Sequence, residues 1–117
     1  MTRSIHPLEK PVRFDTNNSF HQPLISVVMA VYNSENFLKQ AIGSILRQTY
    51  SNFEFIVVDD ASTDKSSEII QSFADRDSRI RMLTNQTNVG LGASLNRAIR
   101  VSTGNFLARM DADDISL

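Results

Sequence analysis

Five aspartates fall in two short runs, Asp59-Asp60 and Asp111 with Asp113-Asp114, and each run directly follows a stretch that reads as a buried strand. Asp111 and Asp113 are two residues apart, so on an extended segment their carboxylates point the same way and offer hard oxygen ligands. That spacing suits Mg²⁺ or Mn²⁺, with water and a substrate diphosphate completing the shell. The ion would then offset the charge growing on a departing diphosphate. The competing reading is a helix cap and a solvated turn. Asp59-Asp60 also has two readings. A carboxylate at a strand end accepts a hydrogen bond from a base N–H or a ribose hydroxyl, or it caps the next helix. Asp64, ahead of Lys65-Ser66-Ser67-Glu68, is the better cap, which leaves Asp60 for a ligand. Tyr32 closes an apolar run beside that loop, where its ring either stacks on a base or packs at the strand end.

These residues need a scaffold that brings them together. Leu24 to Val31 is a nearly continuous apolar run, the pattern of a strand buried on both faces of a parallel sheet. Phe37, Leu38, Ala41, Ile42, Ile45 and Leu46 repeat at helical spacing to about Gln48, with Asn33 or Ser34 placed as the cap. A second unit follows: strand Phe53 to Val58, polar loop Asp59 to Asp64, and a short helix carrying Ile69, Ile70 and Phe73. Ile80 to Leu83 predicts a third strand. Leu91, Leu95, Ala98 and Ile99 predict a helix ending at Ser102-Thr103-Gly104, and Asn105 to Met110 a fourth strand. The alternation predicts an α/β fold, three-layer α/β/α with a mostly parallel sheet and the acidic loops on one edge.

Composition narrows the class. The chain has 117 residues, 12 Lys+Arg against 13 Asp+Glu and no cysteine, which leaves no disulfide, thiolate or cysteine-bound metal and no basic face for nucleic acid. The longest apolar stretch is far below the roughly 20 residues of a membrane-crossing helix. The first twenty-two residues lack the apolar core of a signal peptide, so the expected location is cytoplasmic. Residues 1–22 read as a flexible tail, disordered or draped over the domain, and 23–117 as the folded part. Neither Gly-x-Gly-x-x-Gly nor Gly-Lys-[Ser/Thr] is present, which removes the main support for nicotinamide and P-loop readings.

Five ordered blocks carry a resemblance: Ile25 to Asn33, Ala41 to Tyr50, Val57 to Asp64, Asn88-Val89-Gly90, and Ala108 to Asp114. Together they resemble the family 2 glycosyltransferases, inverting enzymes with a GT-A nucleotide-diphospho-sugar fold, over residues 24–117. The resemblance implies a nucleotide-sugar donor, most often UDP-linked, a divalent metal, and a saccharide or lipid-linked acceptor. It assigns Ala30, Tyr32 and Asn33 to the nucleotide-binding first loop, Asp60 to the base, and Asp111 and Asp113 to the metal. Asn96 falls where the family often has an Arg-Asn pair, and Leu95 stands at the arginine position. Family members continue beyond the acidic motif into the half that holds the acceptor and the general base, so no catalytic base is assigned and Asp114 is not cast as one. Missing parts or partners could place the enzyme at the inner face of the membrane, and surface left uncovered by a truncated sheet predicts self-association.

Two other classes fit parts of the pattern. One is a non-catalytic nucleotide-binding module, which would bind without transfer. The other is a receiver-type signalling domain, which places its acidic pair after the first strand rather than the second.

Overall fold

The computed structural model describes residues 4–7 and 22–112. Its elements are β1 (Ser4–Pro7), β2 (Ile25–Val31), α1 (Glu35–Leu46), β3 (Phe53–Asp59), α2 (Ser66–Arg76), β4 (Ile80–Thr84), α3 (Leu91–Val101) and β5 (Phe106–Asp111). The sheet runs β1-β5-β2-β3-β4. The four strands β5, β2, β3 and β4 are parallel, and β1 joins antiparallel to β5.

The nearly continuous apolar run of β2 has a simple cause: this strand sits at the centre and is covered on both faces. Val27, Met29 and Val31 face the layer of α1 and α2, where they meet Leu38, Ala41, Ile42, Ile45 and Ile70. Val28 and Ala30 face α3 and pack with Ile56, Val58, Leu95 and Ala98. Successive side chains alternate between two cores, so both faces are apolar except at Ser26, whose buried hydroxyl is hydrogen-bonded to Glu54 and to the Gly104 N–H. The expected three-layer architecture, with helices on both faces of a mostly parallel sheet, is what the chain forms.

Two expectations are corrected. Residues 4–7, taken as tail, form an edge strand in register from Ser4↔Arg109 to Pro7↔Phe106. A proline is compatible with an edge, where its missing N–H breaks no ladder. At the start of α1, Ser34 occupies the cap position but makes no side-chain cap; its hydroxyl donates to the Tyr32 carbonyl instead, at 3.0 Å.

The cap comes from another loop. One oxygen of Asp64 accepts the Ser66 N–H at 2.8 Å and the other accepts the Glu35 N–H at 3.2 Å. A single carboxylate thus serves the positive ends of both α1 and α2. We expect Asp64→Ala to lower unfolding free energy by about 1–2 kcal/mol, read from urea midpoints.

Candidate functional site

Because β2, β3 and β5 are parallel, their carboxyl ends share one edge, and the loops leaving them meet there. The first is Tyr32-Asn33-Ser34. Asn33 takes a left-handed backbone, φ 45°, a conformation asparagine tolerates better than most residues. Its side-chain oxygen accepts the N–H groups of Thr63 (2.8 Å) and Asp64 (3.3 Å), and its own N–H donates to the Ser62 hydroxyl at 3.0 Å. Asn33 therefore clamps the loop after β2 to the loop after β3. Tyr32 is left pointing outward and is 41% exposed.

Within the second loop, Asp59 is buried and accepts the Ser62 N–H at 3.3 Å. Ala61 has φ 59°, which costs a residue with a Cβ about 1 kcal/mol. Ala61→Gly is expected to recover about that much in a urea titration.

On β5, Asp111 lies beside Ala30 in the β2–β5 register. Its side chain is 54% exposed and stands 3.9 Å from the Arg109 guanidinium, itself 58% exposed. Such a pair is screened and weak.

Ala30, Tyr32, Asn33, Ser34, Phe37, Leu91, Asp111 and Ala112 line one cleft of about 490 Å³. That volume is in the range of small-molecule sites, roughly 300–1,000 Å³. A second hollow, of about 80 Å³, lies among Ile25, Val27, Ile45, Tyr50 and Phe53 and has little polar lining. The larger cleft joins apolar walls to a carboxylate, so it is the one equipped for a charged ligand.

Four of the seven residues singled out from the sequence, Ala30, Tyr32, Asn33 and Asp111, line this cleft. Asn96 is exposed on α3 and is not among the lining residues. Asp60 is fully buried and is not among the lining residues. One of its oxygens accepts Asn85 Nδ2 and the Val89 N–H, each at 2.9 Å, and the other accepts the Gly90 N–H at 2.9 Å. Asp113 lies outside the described residues, and among those described no group of three or more His, Cys, Asp or Glu side chains converges.

Phe37 and Leu91 were missed as site residues and were read only as helix-core positions. The signal for Phe37 was present. Leu38, Ala41, Ile42 and Ile45 already complete the buried stripe of α1, so Phe37 is one step out of phase and 47% exposed. Leu91 is in phase with Leu95 and Ala98, but it starts α3 beyond the sheet edge and is 50% exposed.

Three aspartates are held below the usual carboxylate range. For Asp60, burial by itself raises the pKa, and hydrogen bonds from Val89, Asn85, Gly90 and Ser94 outweigh it. For Asp64, burial is likewise outweighed, here by Ser66 and the Glu35 N–H. For Asp77 the leading cause is the Arg79 side chain, at 2.9 Å, against a smaller effect of burial. A depressed folded pKa gives stability that is fully present above the unfolded value of about 3.9 and is lost as pH falls through the folded values. Urea midpoints are therefore expected to be level near neutrality and to drop below about pH 4, with a shallower drop in Asp64→Asn.

Fold and cleft together define an open α/β domain with its cleft at the carboxyl edge of a parallel sheet, the edge at which such sheets bind ligands. The model of the glycosyl transferase family 2 matches residues 26–117, and the chain belongs to that family. It is 46% identical over 98 residues to the uncharacterized glycosyltransferase MJ1057 of Methanocaldococcus jannaschii, covering 82% of this chain and 34% of that protein. The mannosyltransferase PcManGT from Pyrobaculum calidifontis, solved with GDP-Man and Mn²⁺, superposes with a TM-score of 0.75 at 26% identity, over 82% of this chain and 29% of that one. Residues 1–349 of S. aureus TarS, solved with UDP-GlcNAc, give 0.72 at 31% identity, over 78% and 27%. The chain thus spans about a third of the length of the curated relatives it matches. The family assignment replaces the receiver-type reading, and the structural neighbours are GT-A glycosyltransferases, as the sequence motifs implied. No helix among the described residues is long and apolar enough to cross a membrane.

Proposed function

We propose that the cleft binds the nucleotide part of a nucleoside-diphosphate sugar, most often UDP-linked, and that this chain supplies the donor half of an inverting glycosyltransferase. The observation that carries this reading is the convergence of Ala30, Tyr32, Asn33 and Asp111 on one cleft in a family 2 chain. Tyr32 offers an exposed ring for a base, and Asp111 offers oxygen ligands in the same lining. Asp60 and Asn96 stand outside the lining, and the reading does not rest on them.

Asp111, with Asp113 two residues on, fits a hard divalent cation, Mg²⁺ or Mn²⁺: carboxylate oxygens, one of them in a half-exposed side chain at a cleft, leave positions for water and phosphate. PcManGT was solved with Mn²⁺, which supports this choice. Bound there, the cation would stabilise charge on the leaving diphosphate. The chain's own residues do the rest of the binding. Tyr32 and Phe37 present ring faces, while Asn33 holds the two loops at a fixed separation. In an inverting transfer a carboxylate takes the proton of the acceptor hydroxyl as it attacks the anomeric carbon. No described residue is assigned that role, and the acceptor, saccharide or lipid-linked, is left to the rest of the enzyme.

Tyr32→Ala is expected to weaken UDP binding about tenfold, the effect of losing one stacking surface. Fluorescence or calorimetric titration reads it directly, and unchanged affinity would remove Tyr32 from the site.

A further inference from the structure

We propose that Arg109 couples the two charged ligands of the cleft: it opposes a divalent cation that reaches Asp111 alone, and it bonds a phosphate oxygen when that cation comes with a nucleoside diphosphate. This rests on the donor-binding reading above and gives Arg109 the part of a diphosphate-binding residue within it.

The placement follows from the strand. Arg109 and Asp111 are two residues apart on β5, so both side chains leave the same face of the sheet, about 7 Å apart along it. Their partners in the β2–β5 register are Val28 and Ala30, which pack in the layer of α3. The long stem of Arg109 spans that rise, and its Nη2 stands 3.9 Å from Asp111 Oδ1. On its other side Arg109 is in register with Ser4 of β1, which brings no charge. A separation of 3.9 Å is too long for a hydrogen bond, and both side chains are more than half exposed, so the pair opens at little cost.

The cleft has use for such a group. Among its described lining residues none is cationic, and Asp111 is the carboxylate. The negative charges of a nucleoside diphosphate and of Asp111 together exceed what one divalent cation cancels. Other basic side chains are placed elsewhere. Arg97 donates to the Thr84 carbonyl and to Asn85 Oδ1, while Lys39, Lys65 and Arg76 border a separate groove on the side of α1 and α2. Arg109 is the cation that stands at the cleft's carboxylate.

The order of arrival then matters. A divalent cation binding Asp111 by itself must displace the guanidinium and remain beside its positive charge. A diphosphate on the cation reverses the sign, because its oxygens accept the N–H fork that Asp111 has released. Arg109 thus weakens binding of the metal alone and strengthens binding of metal and diphosphate together. By linkage the coupling is the same whichever ligand is titrated first.

Arg109→Met keeps the stem and removes the charge, and it is tested in two titrations. Mn²⁺ alone, followed by its electron paramagnetic resonance signal, is expected to bind about threefold tighter than in the wild type. Asp111→Asn supplies the baseline for Mn²⁺ held elsewhere. UDP, followed by calorimetry at saturating Mn²⁺, is expected to bind about tenfold more weakly. Arg109→Lys keeps the charge without the fork, so it should hold the wild-type Mn²⁺ affinity and recover part of the UDP affinity. A loosened strand would not move the two affinities in opposite directions, and an unchanged urea midpoint checks that the sheet persists. Both affinities weaker, both tighter, both unchanged or only one changed in Arg109→Met would overturn the coupling while leaving donor binding in place. Wild-type chain that takes up no UDP with Mn²⁺ present would instead refute the donor reading, and the coupling with it.

Discussion

Asp111→Asn is expected to abolish metal-dependent nucleoside-diphosphate binding, a loss of about 100-fold or more, close to 3 kcal/mol. The substitution keeps the volume of the side chain and its place opposite Ala30 in the β2–β5 register, so the sheet has no reason to change. What goes is the negative charge at the cleft wall. With a divalent cation between carboxylate and diphosphate, that charge is half of a pair whose removal leaves the cation held by too few anionic ligands. Because the Asp111 side chain is half-exposed, stability should change by no more than about 0.5 kcal/mol. Affinity and stability therefore separate at this position, and measuring both on one preparation checks the assignment. Retained affinity in Asp111→Asn would move the diphosphate elsewhere.

The largest effect on folding is expected far from the cleft, at the opposite edge of the sheet. A Cβ on Gly104 would stand 2.6 Å from Ser26 Oγ, 2.7 Å from Ser26 N and 2.8 Å from the Leu24 carbonyl oxygen. Two of these are backbone atoms of the entry to β2 and cannot step aside. Gly104 N–H also donates to Ser26 Oγ at 2.8 Å, and Asn105 N–H to the Leu24 carbonyl at 2.7 Å. Glu54 draws the same corner together by accepting Ser26 Oγ and the Thr103 N–H. Adding one methyl group forces these bonds apart, and Gly104→Ala should cost about 3 kcal/mol. Against a native stability of about 5–15 kcal/mol this is a large fraction. A urea midpoint shift worth less than about 0.5 kcal/mol would show that the corner yields.

Most of the scaffold was legible because parallel strands buried on both faces are written as continuous apolar runs. β2 and β3 are the plainest cases, with Val28, Met29, Val31, Phe55, Ile56, Val57 and Val58 fully enclosed. β1 was not legible. Four residues ending in proline carry no usable period, and their structure comes from pairing with Leu107 and its neighbours about a hundred positions away. The cleft was legible where the motif residue is itself the lining, as at Tyr32 and Asp111. It was less so at Asp60, whose environment is made by donors 25 to 30 positions downstream. A carboxylate at a strand end reads the same in sequence whether it faces a base or a turn of its own chain. Asn33 shows the same ambiguity, since its amide holds a neighbouring loop while its residue borders the cleft.

Calorimetric titration of the chain with UDP, in Mn²⁺ and again with the metal chelated, bears most directly on the donor reading. The expected result is saturable one-site binding with Mn²⁺ that weakens by at least about tenfold on chelation and is absent in Asp111→Asn. No binding by the wild-type chain in the presence of Mn²⁺, or binding indifferent to both the metal and Asp111, would contradict it.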